Sequence, residues 1–323
     1  MVPPHYAVAP TPSVLVFEDK LYIQVKSQIF WLPDILVVPD KLTEPGSPSI
    51  RKEDSTMVSD PPAVKDQQVD EFRRDGVLLL RGIFADWVKD LQRGMETNIG
   101  NPSWRERSIR PEDGSSPFFQ DYCNWDKIPE YRRFVTESCA AAVAGRLMGS
   151  KTARLFHEHV LIKEPGSSVV TPWHHDMPYY CVEGSMTCSL WITLDPVMRD
   201  CAIEYIAGSH AWNREFRPER FNGTALTPGD TREPMPDIAA NRAGYDIRGW
   251  AMAPGDAVAF TYWTVHGAPA NRSANRRRAF SIRFVGDDVV YAEKGVHSPP
   301  FPEIGLKIGD PLSGDQFPVL WRA

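Results

Sequence analysis

Two histidines and an aspartate offer the first chemistry that the sequence shows. In Thr171-Pro172-Trp173-His174-His175-Asp176 a histidine and a carboxylate stand two residues apart, so on an extended strand both side chains leave the same face and can reach one ion. A second histidine, His266, lies far downstream in Tyr262-Trp263-Thr264-Val265-His266-Gly267, after the Gly255-Asp256 turn and the apolar run that follows it. Two imidazoles and one carboxylate on one face of an octahedron leave three positions open, which suits Fe(II) binding an organic co-substrate and O2 together. Zinc sites more often close tetrahedrally. In a chain with eight histidines such a set also arises without any metal. His175 adds a further alternative: it is either the outward neighbour of His174 or takes its place in a shifted register.

Downstream of His266, the run Asn271-Arg272-Ser273-Ala274-Asn275-Arg276-Arg277-Arg278-Ala279-Phe280-Ser281-Ile282-Arg283-Phe284 brings an arginine cluster into a strand. A guanidinium is a planar fork matched to a carboxylate. A strand arginine inside a barrel could therefore anchor the far carboxylate of 2-oxoglutarate while the keto-acid end chelates iron. A solvated basic edge is the plainer reading for Arg272, Arg276 and Arg278. A competing metal set is His157-Glu158-His159 followed by Glu164, which matches the first half of a cupin motif, while the second half is poorly matched. Because His157 and His159 share a strand face, a core or pocket-lining role explains them more simply.

Distant strands must meet for any of these groups to act together, and the texture of the chain supplies them. Residues 1–65 are rich in proline, which interrupts long helices, and read as a partly flexible N-terminal extension. Ser13–Phe17 and Leu21–Val25 within it could form a hairpin, and the part upstream of Met57 could be an artefact of the gene model. From Asp66 a capped helix is expected, ended by Gly76 and followed by a buried strand at Val77–Leu80. Two more amphipathic helices are expected over Asp86–Thr97 and Pro129–Leu147, the second stopped by Gly149. After Lys151 come short apolar runs between Gly, Pro, Asn and Asp turns: Leu161-Ile162, Ser189–Ile192, Ala257–Phe260 and Ala279–Ile282. These segments are too short and broken for a helix between successive strands. The expected fold is mainly β with flanking helices, built on a double-stranded β-helix (jelly roll) core over residues 66–323. A long Pro- and Gly-punctuated insertion near residues 211–249, densest from Pro218 to Gly249, has the length of a lid or binding loop.

Composition narrows the partners. The 323 residues are 42% hydrophobic and 24% charged with a formal charge of -6; no run of roughly 18 apolar residues is present to span a bilayer. The acidic balance argues against nucleic acid, which requires a basic face, and favours a small-molecule substrate. Five cysteines form an odd set with no CxxC pair, so they read as free thiols in a reducing compartment. With neither a signal peptide nor a sorting address in view, the cytoplasm is the expected location.

From about Val69 to Phe284 the chain resembles the phytanoyl-CoA dioxygenase family of Fe(II)/2-oxoglutarate oxygenases. The resemblance runs through an ordered series of motifs: Phe72-Arg73-Arg74-Asp75-Gly76-Val77, Ile162-Lys163-Glu164-Pro165-Gly166, Trp173-His174-His175-Asp176, Leu190-Trp191-Ile192, Ile206-Ala207-Gly208-Ser209-His210, Pro254-Gly255-Asp256, His266-Gly267, and Arg277-Arg278-Ala279-Phe280-Ser281. It implies that His174, Asp176 and His266 hold the iron and that Arg277, rather than its neighbours, holds the co-substrate carboxylate. Trp191 matches a position lining the 2-oxoglutarate pocket, though a core tryptophan would look the same. Lys163 matches a lysine common in the family, though a lysine before a turn more often faces solvent. Some relatives carry a hydroxyl two residues after the second histidine, where this chain has Ala268; Thr264 and Ser281 are the candidates to assist Arg277 instead. The implied reaction is hydroxylation of a substrate C–H bond with release of succinate and CO2. Halogenating relatives lack the carboxylate that Asp176 provides. A catalytically silent jelly-roll binding module is the non-enzyme alternative, against which the intact donor set argues.

Overall fold

The computed structural model describes residues 13–17, 20–25, 28–31, 64–294 and 304–323. The chain divides into two compact units, Met1–Ser55 and Thr56–Ala323. In the first, β1 (Ser13–Phe17), β2 (Lys20–Val25) and β3 (Gln28–Trp31) form an antiparallel sheet in the order β1-β2-β3, so the expected hairpin is present and gains a third strand. Met57 and most of the proline-rich segment lie outside the described residues.

The second unit opens with α1 (Asp66–Asp75). The Lys65 backbone N–H donates to Gln68 Oε1 at 3.0 Å, and Gly76 ends the helix in the left-handed region at φ 71°, where a residue without Cβ carries no steric penalty. A side chain there would also collide with the His210 ring. The chain continues through β4 (Val77–Leu80), α2 (Val88–Gly100), β5 (Phe118–Tyr122), α3 (Pro129–Glu137) and α4 (Ala140–Met148). The helix expected over Pro129–Leu147 is therefore two helices, broken at Ser138, whose backbone is extended. The break has a packing cause. Tyr131, Phe134 and Val135 are buried on α3, and Ala140, Val143, Ala144 and Leu147 on α4. On one uninterrupted helix these two stripes would point to opposite sides, so the turn at Ser138 lets both face the core. Likewise, the helix expected from Asp86 begins with a 3-10 turn at Ala85–Trp87 before α2.

The remaining strands are β6 (Thr152–Lys163), β7 (Thr171–His174), β8 (Val182–Glu183), β9 (Thr187–Thr193), β10 (Glu204–Ile206), β11 (Ile247–Arg248), β12 (Ala257–Phe260), β13 (His266–Ala268), β14 (Arg277–Val285), β15 (Val290–Tyr291) and β16 (Val319–Arg322). Two sheets carry the fold: a large one ordered β16-β6-β14-β9-β12-β4 with β5 added on β6, and a small one ordered β11-β10-β13-β7. All the named strand pairs are antiparallel. This is a mainly β, jelly-roll architecture with helices packed outside.

The large sheet separates two environments. Alternate residues Val160 and Ile162 of β6, Leu190 and Ile192 of β9, and Phe280, Ile282 and Phe284 of β14 join the helices in one apolar core, while their neighbours in sequence point the other way. Phe280 is fully buried, with its ring centroid 4.9 Å from Tyr131 and 5.4 Å from Phe134. Phe280→Ala is expected to cost about 3–5 kcal/mol of stability, measured by denaturant unfolding. A loss below about 1 kcal/mol would show that the α3 helix is not held to the sheet by this ring.

Candidate metal centre

His174 ends β7 and His266 begins β13, and the two are direct partners across that antiparallel pair. Their ring centroids are 4.3 Å apart. Asp176 arrives differently from the sequence expectation. The strand stops at His174, and Asp176 has helical backbone angles (φ -73°, ψ -31°) at the head of a 3-10 turn over Met177–Tyr179. The turn nevertheless returns the carboxylate to the same point: Oδ1 lies 3.8 Å from His174 Nε2. One ligand atom from each of the three residues falls within 4.8 Å of the others, the only such group among the described residues.

Tautomer and charge suit this set to a cation. His174 Nδ1 lies 2.8 Å from the Pro172 carbonyl and His266 Nδ1 2.9 Å from the Thr264 carbonyl. A proton donated there leaves each Nε2 lone pair free for a metal. Burial, then the neighbouring His174 ring, push His266 down to about 3, which keeps it neutral. For Asp176 burial alone would raise the carboxyl, but the Arg283 guanidinium and the two imidazoles outweigh it and hold it below the ordinary range. Arg283 Nε donates to Asp176 Oδ2 at 3.4 Å. His175 turns away: its Nε2 accepts the Phe216 backbone N–H at 3.0 Å, so the shifted register does not occur.

A cavity of about 210 Å³ opens beside these donors, lined in part by Lys163, Trp191, Arg277 and Ser281. Arg277 is buried at the start of β14, and its Nη1 donates to the Cys201 carbonyl. No ion pair joins it to a carboxylate among the described residues, whereas Arg276 binds Glu96 and Glu164, and Arg278 binds Asp195 and Glu96. The plainer reading of those two neighbours as solvated cations gives way to ion pairing. Directly across the ladder from Arg277 stands Lys163. Contrary to the solvent-facing expectation, it is only 1% exposed, and its Nζ donates to the Val169 and Pro269 carbonyls and to Thr171 Oγ1. Burial, then Arg277, push its ammonium down to about 6. A buried guanidinium beside a basic amine, with no acidic partner for either among the described residues, is suited to an anion, and a dicarboxylate co-substrate would supply it. Of the two hydroxyls considered beside Arg277, Thr264 Oγ1 donates to the Gly76 carbonyl, whereas Ser281 lines the cavity and its Oγ accepts from Arg283. Trp191 is buried in the core and lines the cavity at once.

The competing set does not assemble. His157 and His159 share the inner face of β6, but Glu164 accepts from Arg276 Nε at 2.9 Å. Sequence reasoning overlooked Arg283, although it stands six residues after Arg277 on one strand, and an even spacing puts both on the inner face. It also overlooked β5, whose Phe118, Gln120 and Tyr122 line the cavity. That strand carries no motif, so only its pairing with β6 reveals it. The insertion contributes Phe216, Arg217, Glu219, Phe221 and Met235 to the wall.

Comparison with known proteins agrees with this fold. The chain is similar to the non-haem α-ketoglutarate-dependent epimerase SnoN from nogalamycin biosynthesis, at 23% identity and a TM-score of 0.62, over 80% of this chain and 96% of that one. The carbocyclase SnoK from nogalamycin biosynthesis has the same identity and TM-score, over 80% and 97%. EctD from S. alaskensis, solved with 2-oxoglutarate and 5-hydroxyectoine, is 21% identical with a TM-score of 0.55, over 69% and 76%. At these identities the likeness speaks for the fold. No curated protein matches the chain. The family model for phytanoyl-CoA dioxygenase (PhyH) matches residues 72–279, well over half the sequence, including His174, Asp176, His266 and Arg277. The chain belongs to the phytanoyl-CoA dioxygenase family of 2-oxoglutarate-dependent non-haem iron enzymes, which use Fe(II), 2-oxoglutarate and O2.

Proposed function

We propose that His174, Asp176 and His266 bind the iron, that Arg277 and Lys163 hold the distal carboxylate of 2-oxoglutarate, and that the enzyme hydroxylates a C–H bond of a small molecule. The observation that carries this reading is one cavity shared by the three donors, a buried guanidinium and a buried amine, neither of which has a carboxylate partner among the described residues. Iron with 2-oxoglutarate and O2 supplies the oxidising power, with succinate and CO2 as co-products. The chain supplies position, charge and shelter. Arg283 keeps Asp176 ionised and oriented. The carbonyls of Pro172 and Thr264 fix the two imidazoles. Arg277 gives the bidentate fork and Lys163 a point charge beside it. Trp191 closes the wall of this pocket against water. The insertion near 211–249 serves as a lid: Phe216 is bonded to His175, between two of the donors, and Glu219 to Tyr179, three residues after Asp176. Because a carboxylate occupies the Asp176 position, no donor position is vacated for halide, which favours oxygen transfer over halogenation. An odd set of five cysteines with no CxxC pair suits a reducing compartment, and the cytoplasm is the proposed location.

Three outcomes test this reading. Asp176→Ala should abolish both Fe(II) binding, read by calorimetry, and substrate-coupled succinate formation, while leaving the fold intact; a folded, iron-loaded variant turning over at the normal rate sinks the donor assignment. Arg277→Ala should weaken 2-oxoglutarate binding by about 2–5 kcal/mol, roughly thirtyfold to several thousandfold. An unchanged affinity would move the anchor elsewhere.

The third concerns protons. Lys163 titrates near 6 in the free protein, so it is mostly neutral at pH 7.5, and an arriving carboxylate favours its charged form. Binding of 2-oxoglutarate should therefore take up a proton, and affinity should fall as pH rises above about 6. Calorimetry in buffers of different ionisation enthalpy reads the uptake directly, and Lys163→Met should remove it. Uptake that persists in Lys163→Met would assign the proton to another group.

A further inference from the structure

We propose that the substrate is an uncharged, ring-containing, oxygen-bearing compound that lies against a shelf formed by Tyr122 and His159 and is oriented by a hydrogen bond with the His159 imidazole. This rests on the iron and 2-oxoglutarate reading above, and it follows from accounting for charge in the cavity. Among the described residues, six charged side chains line it: Lys163, Asp176, Arg217, Glu219, Arg277 and Arg283. Arg217 is paired with Glu219 at 2.7 Å, and Arg283 with Asp176 at 3.4 Å. Lys163 and Arg277 serve the co-substrate. Among the described residues no lining cation or carboxylate is then left over for a charged substrate, and burying an uncompensated charge there would be costly.

What remains is aromatic and neutral. Tyr122 of β5 and His159 of β6 are direct strand partners and stack at 3.8 Å with 19° between their planes. His159 is more than nine-tenths buried, lines the cavity, and its Nε2 has no hydrogen-bond partner among the described residues. A buried ring nitrogen left in this state calls for a partner. Burial, then the Arg283 charge, drive its pKa well below the ordinary range, so the ring is neutral and offers one donor and one acceptor, matched to a hydroxyl or carbonyl. Four residues before Tyr122 on the same face of β5, Phe118 meets Phe221 of the insertion edge to face at 6.1 Å, and Phe216 adds a third ring to the wall. Such surfaces favour the face of a ring over a flexible acyl chain carrying phosphate.

The test uses the full chain loaded anaerobically with Fe(II) and 2-oxoglutarate, titrated calorimetrically with 1-naphthol and with 1-naphthyl phosphate. Naphthol should bind saturably and the phosphate ester at least tenfold more weakly. His159→Leu should lose at least tenfold for naphthol, and His159→Gln, which keeps a donor and an acceptor, should recover most of it. Equal or tighter binding of the phosphate, no saturable binding of naphthol, or a His159→Leu variant that binds naphthol normally would each overturn the proposal. The visible charge-transfer band of the Fe(II)–2-oxoglutarate complex, followed in the same samples, separates the two readings: if the wild type never develops it, the iron assignment fails, while naphthol titration of the metal-free protein still judges the shelf.

Discussion

Everything in the catalytic unit depends on strand β14 having two faces that cannot be exchanged. Bonded to β6 on one side and β9 on the other, it turns Phe280, Ile282 and Phe284 into the apolar core and Arg277, Ser281 and Arg283 into the cavity. A slip of one residue would bury two guanidinium groups among the helices and expose three phenylalanine or isoleucine side chains to polar surroundings. The register is thus enforced from both directions, by the hydrophobic effect on one face and by the cost of desolvated charge on the other. The same register sets Arg277 opposite Lys163 and Arg283 opposite His157.

Charge in the interior divides into two kinds. Arg283 is compensated within the protein by Asp176, so it contributes a fixed field that tunes a neighbouring carboxylate. Arg277 and Lys163 have carbonyl and hydroxyl partners but no counter-charge. An anion entering the cavity would satisfy both groups, and its binding would then add to the stability of the fold.

Much of this could be foreseen from residues whose spacing carries a geometric rule. The even spacing of His174 and Asp176 and the apolar runs flanking His266 indicated a shared site, and the alternation in β14 separated Arg277 from Arg276 and Arg278 once a family pattern supplied the phase. The failures are equally specific. The sequence pattern predicts an extended segment through Asp176, but a 3-10 turn delivers the carboxylate; a turn and a strand can aim a side chain at the same point. Lys163 looked exposed because it precedes a Pro-Gly turn, and burial there is decided by the distant carbonyls of Val169 and Pro269. The break at Ser138 was hidden because each half of the segment reads as a good amphipathic helix, and only the relative phase of the two stripes betrays the join. The β5 wall had no local signature at all.

The backbone tie between Phe216 and His175, together with the paired hydrogen bonds between Tyr179 and Glu219, bears on how such an enzyme diversifies. Remodelling the loop that carries Phe216 and Glu219 disturbs the residues flanking two of the three donors, so its length and anchoring are constrained together with the metal site. Among the described residues the β5 strand has no such hydrogen bond to the donor segment and is attached through its ladder with β6. Substitutions at Phe118, Gln120 and Tyr122 are accordingly the freer path by which descendants of this scaffold could accept differently shaped molecules without retuning the iron.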